Sequence, residues 1–274
     1  MRKTGQAHEL SKHGLVLFVL LFAFLPLYVM LVISLKTNTQ FLQHPMAVTF
    51  PLHWENWAAG WQVCGRYIAN SIFVAAFSVI ATLVTALLSA YVFARYRFPG
   101  HTVLWYLLLA LLFMPGVMNI VPLFLIMKKL SLLNSLWGLT LIYTVGGQVF
   151  CVFVLRNFIE DIPGDLFEAA MVDGATPLQQ VVTIVVPMSG SILATLAILR
   201  FLGAWNNFIQ PMIFLSDEYK QLIPVGLMRL DGEYVKQWGE MMAGYSIAAI
   251  PLVVIFLFTM RLFVRGLTAG AIKG

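Results

Sequence analysis

The chain has 274 residues, of which 60% are hydrophobic and 11% charged, with a formal net charge of +5 and a mean hydropathy of +0.87. So few charges cannot cover a water-soluble fold of this size, and the class indicated is a polytopic membrane protein. The basic residues are scattered, with no basic stripe interleaved with aromatics, which excludes nucleic-acid binding and fits membrane anchoring.

Residues 1–13 form an expected cytoplasmic tail with Arg2, Lys3 and Lys12. The apolar run at about 14–35 is long enough to span and is followed by no small-residue cleavage site, so it reads as a retained first transmembrane helix rather than a signal peptide. An outer loop is expected at about 36–68, with His53, Trp54, Trp57 and Trp61. Tryptophans near span ends serve as interface anchors more often than as solute contacts. The second span, about 69–94, is rich in small residues (Ala75, Ala76, Ala81, Ala86, Ser89, Ala90), as close helix packing requires. Arg95 and Arg97 follow it. Further spans are expected at about 103–127, 136–156, 188–213 and 244–264, with a second outer loop at about 214–243 and a cytoplasmic tail at 265–274. Pro26, Pro115, Pro122, Pro187, Pro211 and Pro251 lie in or beside these spans, where neighbouring helices can satisfy the freed carbonyls. With six spans, Arg2, Lys3, Lys12, Arg95, Arg97, Arg261, Arg265 and Lys273 fall on one side, opposed by Lys128 and Lys129. Both termini are therefore expected in the cytoplasm.

Between the fourth and fifth spans lies EAAMVDGATPLQQVVTIVVP, Glu168 to Pro187. It reads as helix, turn, helix. Pro163-Gly164 breaks what precedes it, Asp165 is placed to N-cap a short helix with Glu168 completing a box, and Leu166, Phe167, Ala169, Ala170 and Met171 give an apolar face. Asp173-Gly174 ends that helix, and Thr176 with Pro177 starts the next. An apolar helix with acids and no Lys or Arg between Arg156 and Arg200 fits a groove on another protein better than a lipid surface.

Catalytic chemistry is not expected. The five histidines lie outside the spans without HExxH spacing, no Asp or Glu falls within an apolar segment, and there is no GxxxxGK[ST]. Cys64, placed in a loop, and Cys151, in a span, offer neither a disulfide nor metal spacing. No enzyme site, cofactor or metal follows. Within the fifth span Arg200 stands alone as a charge, facing a water-filled cavity, snorkelling to the interface, or bonded to a backbone carbonyl. Trp205, Asn206 and Asn207 follow it, with Phe208 and Gln210. Amides and an indole suit sugar recognition, and equally suit interhelical hydrogen bonding. Arg200, Trp205, Asn206 and Asn207 are the candidate solute path.

The Glu168–Pro187 stretch resembles the EAA loop of ABC-importer permeases: Glu168, Ala169, Ala170, Asp173, Gly174, Ile184 and Pro187 stand at matching places, while Val181 and Ser191 depart from the pattern. Asn70-Ser71, the Ala94–Gly100 run, Met114-Pro115, Pro122-Leu123-Phe124, Trp205–Phe208, Ile223–Leu227 and the closing Gly266–Gly274 resemble the carbohydrate-uptake branch, in particular its maltose-type second permease. The resemblance implies an all-α, type I (MetI-like) permease fold with six transmembrane helices. The core would be residues 69–264, with a cytoplasmic coupling loop at 165–187. It implies an inner-membrane subunit importing a sugar or sugar-like solute, with glycerol phosphate or another anionic solute as the charged variant. It also implies a second homologous permease, an ABC ATPase dimer that holds the ATPase activity, and an extracytoplasmic solute-binding protein. Glu168, Ala169, Ala170, Asp173 and Gly174 would couple to the ATPase. The competing readings are a secondary transporter, a permease for a non-sugar solute, and a membrane scaffold.

Overall fold

Apolar length decides which helices can cross a bilayer. The computed structural model describes residues 2–231 and 237–271, and no strand occurs among them. Four stretches are long and apolar enough by themselves: Lys12–Ser34 within α1 (Arg2–Ser34), α3 (Glu55–Arg95), α6 (Leu136–Glu160) and Trp238–Leu257 within α13 (Trp238–Ala271). Two further spans are bent pairs. One joins α4 (His101–Leu112) to Gly116–Lys129, which contains α5 (Ile120–Lys129), at 100°. The other joins Pro177–Met188 to α10 (Gly190–Trp205) at 81°. Counting each pair as one span gives six.

Proline breaks the first pair and loosens a turn ahead of the second bend, which lies at Ser189. Met114 precedes Pro115 and is thereby disfavoured in helical conformation, and Pro115 itself is extended with ψ 122°. In the second pair α8 (Pro177–Gln180) continues through a π turn, Val181–Val185, into α9 (Val186–Met188). Pro187 lacks an N–H and crowds the carbonyl four residues back. The wider turn, in which Val186 N–H reaches Val181 O, absorbs the misfit.

The chain divides into two compact units, Met1–Arg66 with Gly226–Pro251, and Tyr67–Val225 with Leu252–Gly274. In the first, α1 and α2 (Asn38–Gln43) are tied to the start of α3. Asn56 Nδ2 donates to the carbonyls of Ser34 and Lys36 at 3.0 and 2.9 Å, and Trp57 Nε1 donates to Ser34 Oγ at 3.0 Å. Lys36 is buried and donates to His44 O at 2.5 Å and Pro45 O at 3.3 Å; burial pulls its pKa below the usual lysine range. Gly60 lets α3 approach α13 closely, because a Cβ there would lie 3.0 Å from Gly244 N.

In the second unit α3, α6 and α10 surround two clusters. Ala86, Ala90 and Tyr91 pack with Cys151, Leu155, Ile159, Phe167, Val185 and Leu196. Val74 and Ala75 pack with Met127, Leu139, Tyr143, Ala204, Phe214 and Leu222. α11 (Ile209–Phe214) and α12 (Ile223–Asp231) follow α10.

The helix boundaries depart from expectation in three places. α3 starts at Glu55 rather than about 69 and has 41 residues, about 60 Å at 1.5 Å per residue, twice the ~30 Å of hydrocarbon. Much of the expected outer loop is thus helix, and Cys64 is a buried helical residue rather than a loop residue. The fifth span breaks at Asn206–Phe208, between α10 and α11. α1 and α13 run as helix through residues 2–13 and 265–271, expected as tails. Glu233 and Lys236 of the second outer loop, and Lys273, lie outside the described residues.

Gly138 tests the packing of α6. A Cβ there would lie 2.2 Å from Leu132 O, whereas one at Gly203 would meet nothing within 4 Å. Gly138→Ala is expected to destabilise the detergent-solubilised protein by about 1–3 kcal/mol, and Gly203→Ala to leave it unchanged or stabilise it by up to about 1 kcal/mol. Thermal unfolding followed by thiol-reactive fluorescence checks this; equal melting temperatures for the two variants would contradict it.

Candidate functional site

The loop after α6 is built from local rules. α6 ends at Glu160, and Pro163 starts α7 (Gly164–Val172) without a side-chain cap. Asp165 lies inside the first turn, so the expected Asp165–Glu168 box does not form; its charge still favours the helix N-terminus. Gly174 follows at φ +78°, a left-handed conformation that suits glycine. Gly174 N–H bonds to Met171 O at 3.1 Å and Ala175 N–H to Ala170 O at 2.9 Å, a Schellman closure of α7. Thr176 then caps α8 in a reciprocal box with Gln179.

What holds α7 in place comes from far along the chain. Arg95 Nη2 donates to Ile159 O at 2.6 Å and Ile162 O at 2.5 Å, adding a cation to the carbonyls around the end of α6. Its guanidinium lies 4.0 Å from the ring centre of Phe167, the one buried residue of α7. Tyr91, 6.2 Å ring to ring from Phe167, donates to Gln180 Oε1 at 2.7 Å, and Gln180 Nε2 donates to Ala175 O at 3.4 Å. One face of α7 is thus fixed to α3, α6 and α8. The other is open: Glu168, Ala169, Met171, Val172 and Asp173 are exposed, with Ala170 half-buried. Glu168 and Asp173 make no side-chain hydrogen bond or ion pair among the described residues. The sequence pattern singled out all of these residues except Val172. It gave no sign of Arg95, which reads as an interface charge, nor of Tyr91 and Gln180.

The second group of candidates is divided. Arg200 is half-buried, donates from Nη2 to Tyr143 O at 3.1 Å, and lies against Gly147, where a Cβ would come within 2.7 Å of Arg200 Nε. Trp205 is buried and stacks on Phe201 at 5.6 Å. Asn206 is exposed, while Asn207 is engaged by Gln210, donating to its Oε1 and accepting from its N–H, both at 3.1 Å. Asn206, Asn207 and Gln210 line an open groove of about 480 Å³ with Gly116, Val117 and Ile120, where the broken fifth span meets the broken third. No charged side chain lines it. A further polar layer lies between α3 and α6, where Thr82 Oγ1 donates to Thr144 O at 3.2 Å and Gln148 Nε2 donates to Thr85 Oγ1 at 2.5 Å. Among the described residues no group of His, Cys, Asp or Glu could hold a metal ion.

Comparison with known proteins agrees with this architecture. A family model described as "Binding-protein-dependent transport system inner membrane component" matches residues 69–269. The chain is 33% identical to the probable ABC transporter permease YurM of Bacillus subtilis, over 91% of this chain and 83% of that one. It is 30% identical to the diacetylchitobiose uptake permease NgcG of Streptomyces coelicolor (95% and 88%), and 31% identical to the trehalose/maltose permease MalG of Thermococcus litoralis (95% and 95%). Its fold matches a chain in the crystal structure of a bacterial ABC transporter that imports the acidic polysaccharide alginate, with TM-score 0.83, 20% identity, and 94% and 97% coverage.

Arg95→Gln removes the cation and at least one carbonyl bond beneath α7, at a cost of about 2 kcal/mol. Amide exchange in Gly164–Val172 is expected to become roughly 30-fold faster while α6 remains protected. Unchanged exchange in α7 would show that Arg95 does not hold it.

Proposed function

The chain belongs to the binding-protein-dependent transport system inner-membrane component family, and from that membership we propose that it is the permease subunit of an ATP-driven importer for a sugar or sugar-like solute. Its partners in this reading are a second, homologous permease, a dimer of ABC ATPases and an extracytoplasmic solute-binding protein. The hydrolytic activity resides on the ATPases. Both termini and Glu168 lie in the cytoplasm, as the short-segment Lys and Arg balance requires. The relatives named for diacetylchitobiose and trehalose/maltose uptake support the solute class.

The observation that carries the proposal is the one-sided fixation of α7. Phe167 is held beneath Arg95, while Glu168, Ala169 and Asp173 face outward without partners among the described residues. With no cap to serve, the Glu168 carboxylate is free to pair with a base in an ATPase groove. Ala169 and Ala170 keep the helix slim enough to seat there. Closure of the ATPases on ATP would push α7, and Arg95 with the Tyr91–Gln180 bond would pass that push to α3, α6 and α8 as a rigid-body movement. ATP favours the closed state only through its tighter binding there. Solute would pass on the side of Asn206 and Asn207, with Arg200 and Trp205 as the packed wall behind them.

Gly174 separates coupling from assembly. A Cβ there would meet no atom within 4 Å, so Gly174→Val disturbs only the left-handed backbone, by about 1–2 kcal/mol. The variant is expected to insert and to co-purify with the ATPase, yet to lose most solute-dependent uptake per ATP hydrolysed. Full coupling in proteoliposomes would contradict the role of the loop. Purification of the wild-type chain without any ATPase subunit would favour a secondary transporter. A cysteine beside Glu168 should resist a membrane-impermeant thiol reagent added to intact cells.

A further inference from the structure

Gln148 is an amide in the middle of an apolar helix, and its surroundings leave it half satisfied. Its Nε2 donates to Thr85 Oγ1 at 2.5 Å and reaches Thr82 O at 3.5 Å, while Oε1 accepts no hydrogen bond among the described residues. Thr85 is complete, since its hydroxyl also donates to Ala81 O at 2.6 Å. Depth follows from helix rise. Thr85 lies about 15 Å before Arg95 and Gln148 about 18 Å before Glu160, so both stand near the midplane of a ~30 Å hydrocarbon layer. The pair is not sealed by the protein. Thr85 is exposed, Gln148 half-exposed, Val145 is 62% exposed, and a Cβ at Gly146 would meet nothing within 4 Å. An amide oxygen without a donor is not stable against lipid tails, because hydrocarbon offers none. This face therefore meets water, solute or protein.

The charge nearby is directed elsewhere. Arg200 bonds to Tyr143 O and lies against Gly147 and Thr82, on the side of α6 away from Val145. What the open face offers at mid-membrane is an amide acceptor beside an already bonded hydroxyl, with no net charge. The geometry points to the Thr85–Gln148 pair as a solute-contacting step of the import path, selecting uncharged polyhydroxylated compounds, whose O–H groups Gln148 Oε1 accepts. This rests on the permease reading above and adds to it the charge class of the solute and two residues beyond the Asn206–Asn207 groove.

The test uses the membrane-embedded complex and needs no knowledge of the natural solute. Gln148→Cys and, separately, Thr85→Cys are exposed to three water-soluble methanethiosulfonates: one anionic, one cationic and one bearing neutral glucose. The native Cys64 and Cys151 are buried and serve as the unreactive reference. The expected result is modification of the new cysteine at least tenfold faster than of the native pair, with the glucose-bearing reagent at least as fast as the anionic one. Modification no faster than that of Cys64 and Cys151, while the denatured protein reacts fully, would show a face sealed by lipid or by a partner helix and would overturn the site. An anionic reagent more than tenfold faster than the neutral one would overturn the solute class and return the Arg200 charge to the path. Co-isolation of an ATPase subunit, scored in the same membranes, reads the permease assignment separately.

Discussion

The fixed orientation of α7 depends on the guanidinium of Arg95. Three segments of the second unit, the end of α3, the end of α6 and the start of α7, meet on this one side chain. Planar geometry matters here. The two carbonyls of Ile159 and Ile162 take the edge of the guanidinium, and the Phe167 ring takes its face, a division a lysine ammonium cannot reproduce. The carbonyls at a helix C-terminus also carry partial negative charge, so the cation stabilises the end of α6 as well as joining it to its neighbours. Tyr91 and Gln180 extend the joint to α8, through which the chain re-enters a span. A nine-residue helix has little stability alone, and its fixed orientation is a consequence of this tertiary joint.

The same polar economy shapes the spans. Pro115 breaks one span and Pro187 widens a turn of another, and irregular turns satisfy the backbone groups so freed. The third interruption, at Asn206–Phe208, is closed by side chains: Asn207 and Gln210 satisfy one another and the start of α11. The groove beside that interruption and the Thr85–Gln148 pair are both polar and uncharged, while the one deep cation is packed against a glycine. A path that binds hydroxyls without trapping ions needs this separation, since a fixed charge in a low-dielectric passage holds anions too strongly to release them.

What could be read from the sequence divides along the range of the interactions. Helix α7, the turn at Gly174 and the cap at Thr176 depend on residues within five positions of each other, so composition and spacing located them. The expected cap at Asp165 failed for a local reason: Pro163 already fixes the chain entry, and the helix begins two residues earlier than that role allows. The start of α3 was hidden because ENWAAGWQVCGR mixes polar residues with tryptophans and resembles a surface loop. Its helicity follows from contacts of Asn56, Trp57 and Gly60 with distant parts of its own unit. Arg95 and Gln180 find partners 64 and 89 residues away, and no pattern along the chain marks such pairs. Arg200 was visible as an anomaly, and its bond to Tyr143 O was one of three arrangements the sequence allowed.

In the proposed coupling, α7 and the end of α3 move as one body when the ATPases close. Spin labels at Asp173→Cys and Arg97→Cys, both exposed positions, report the distance across the Arg95 joint in the membrane-reconstituted complex. The account predicts one narrow distance distribution, the same without nucleotide and with ATP bound. A distance that shifts or splits on ATP binding would contradict it, because α7 would then be swinging against α3 rather than driving it.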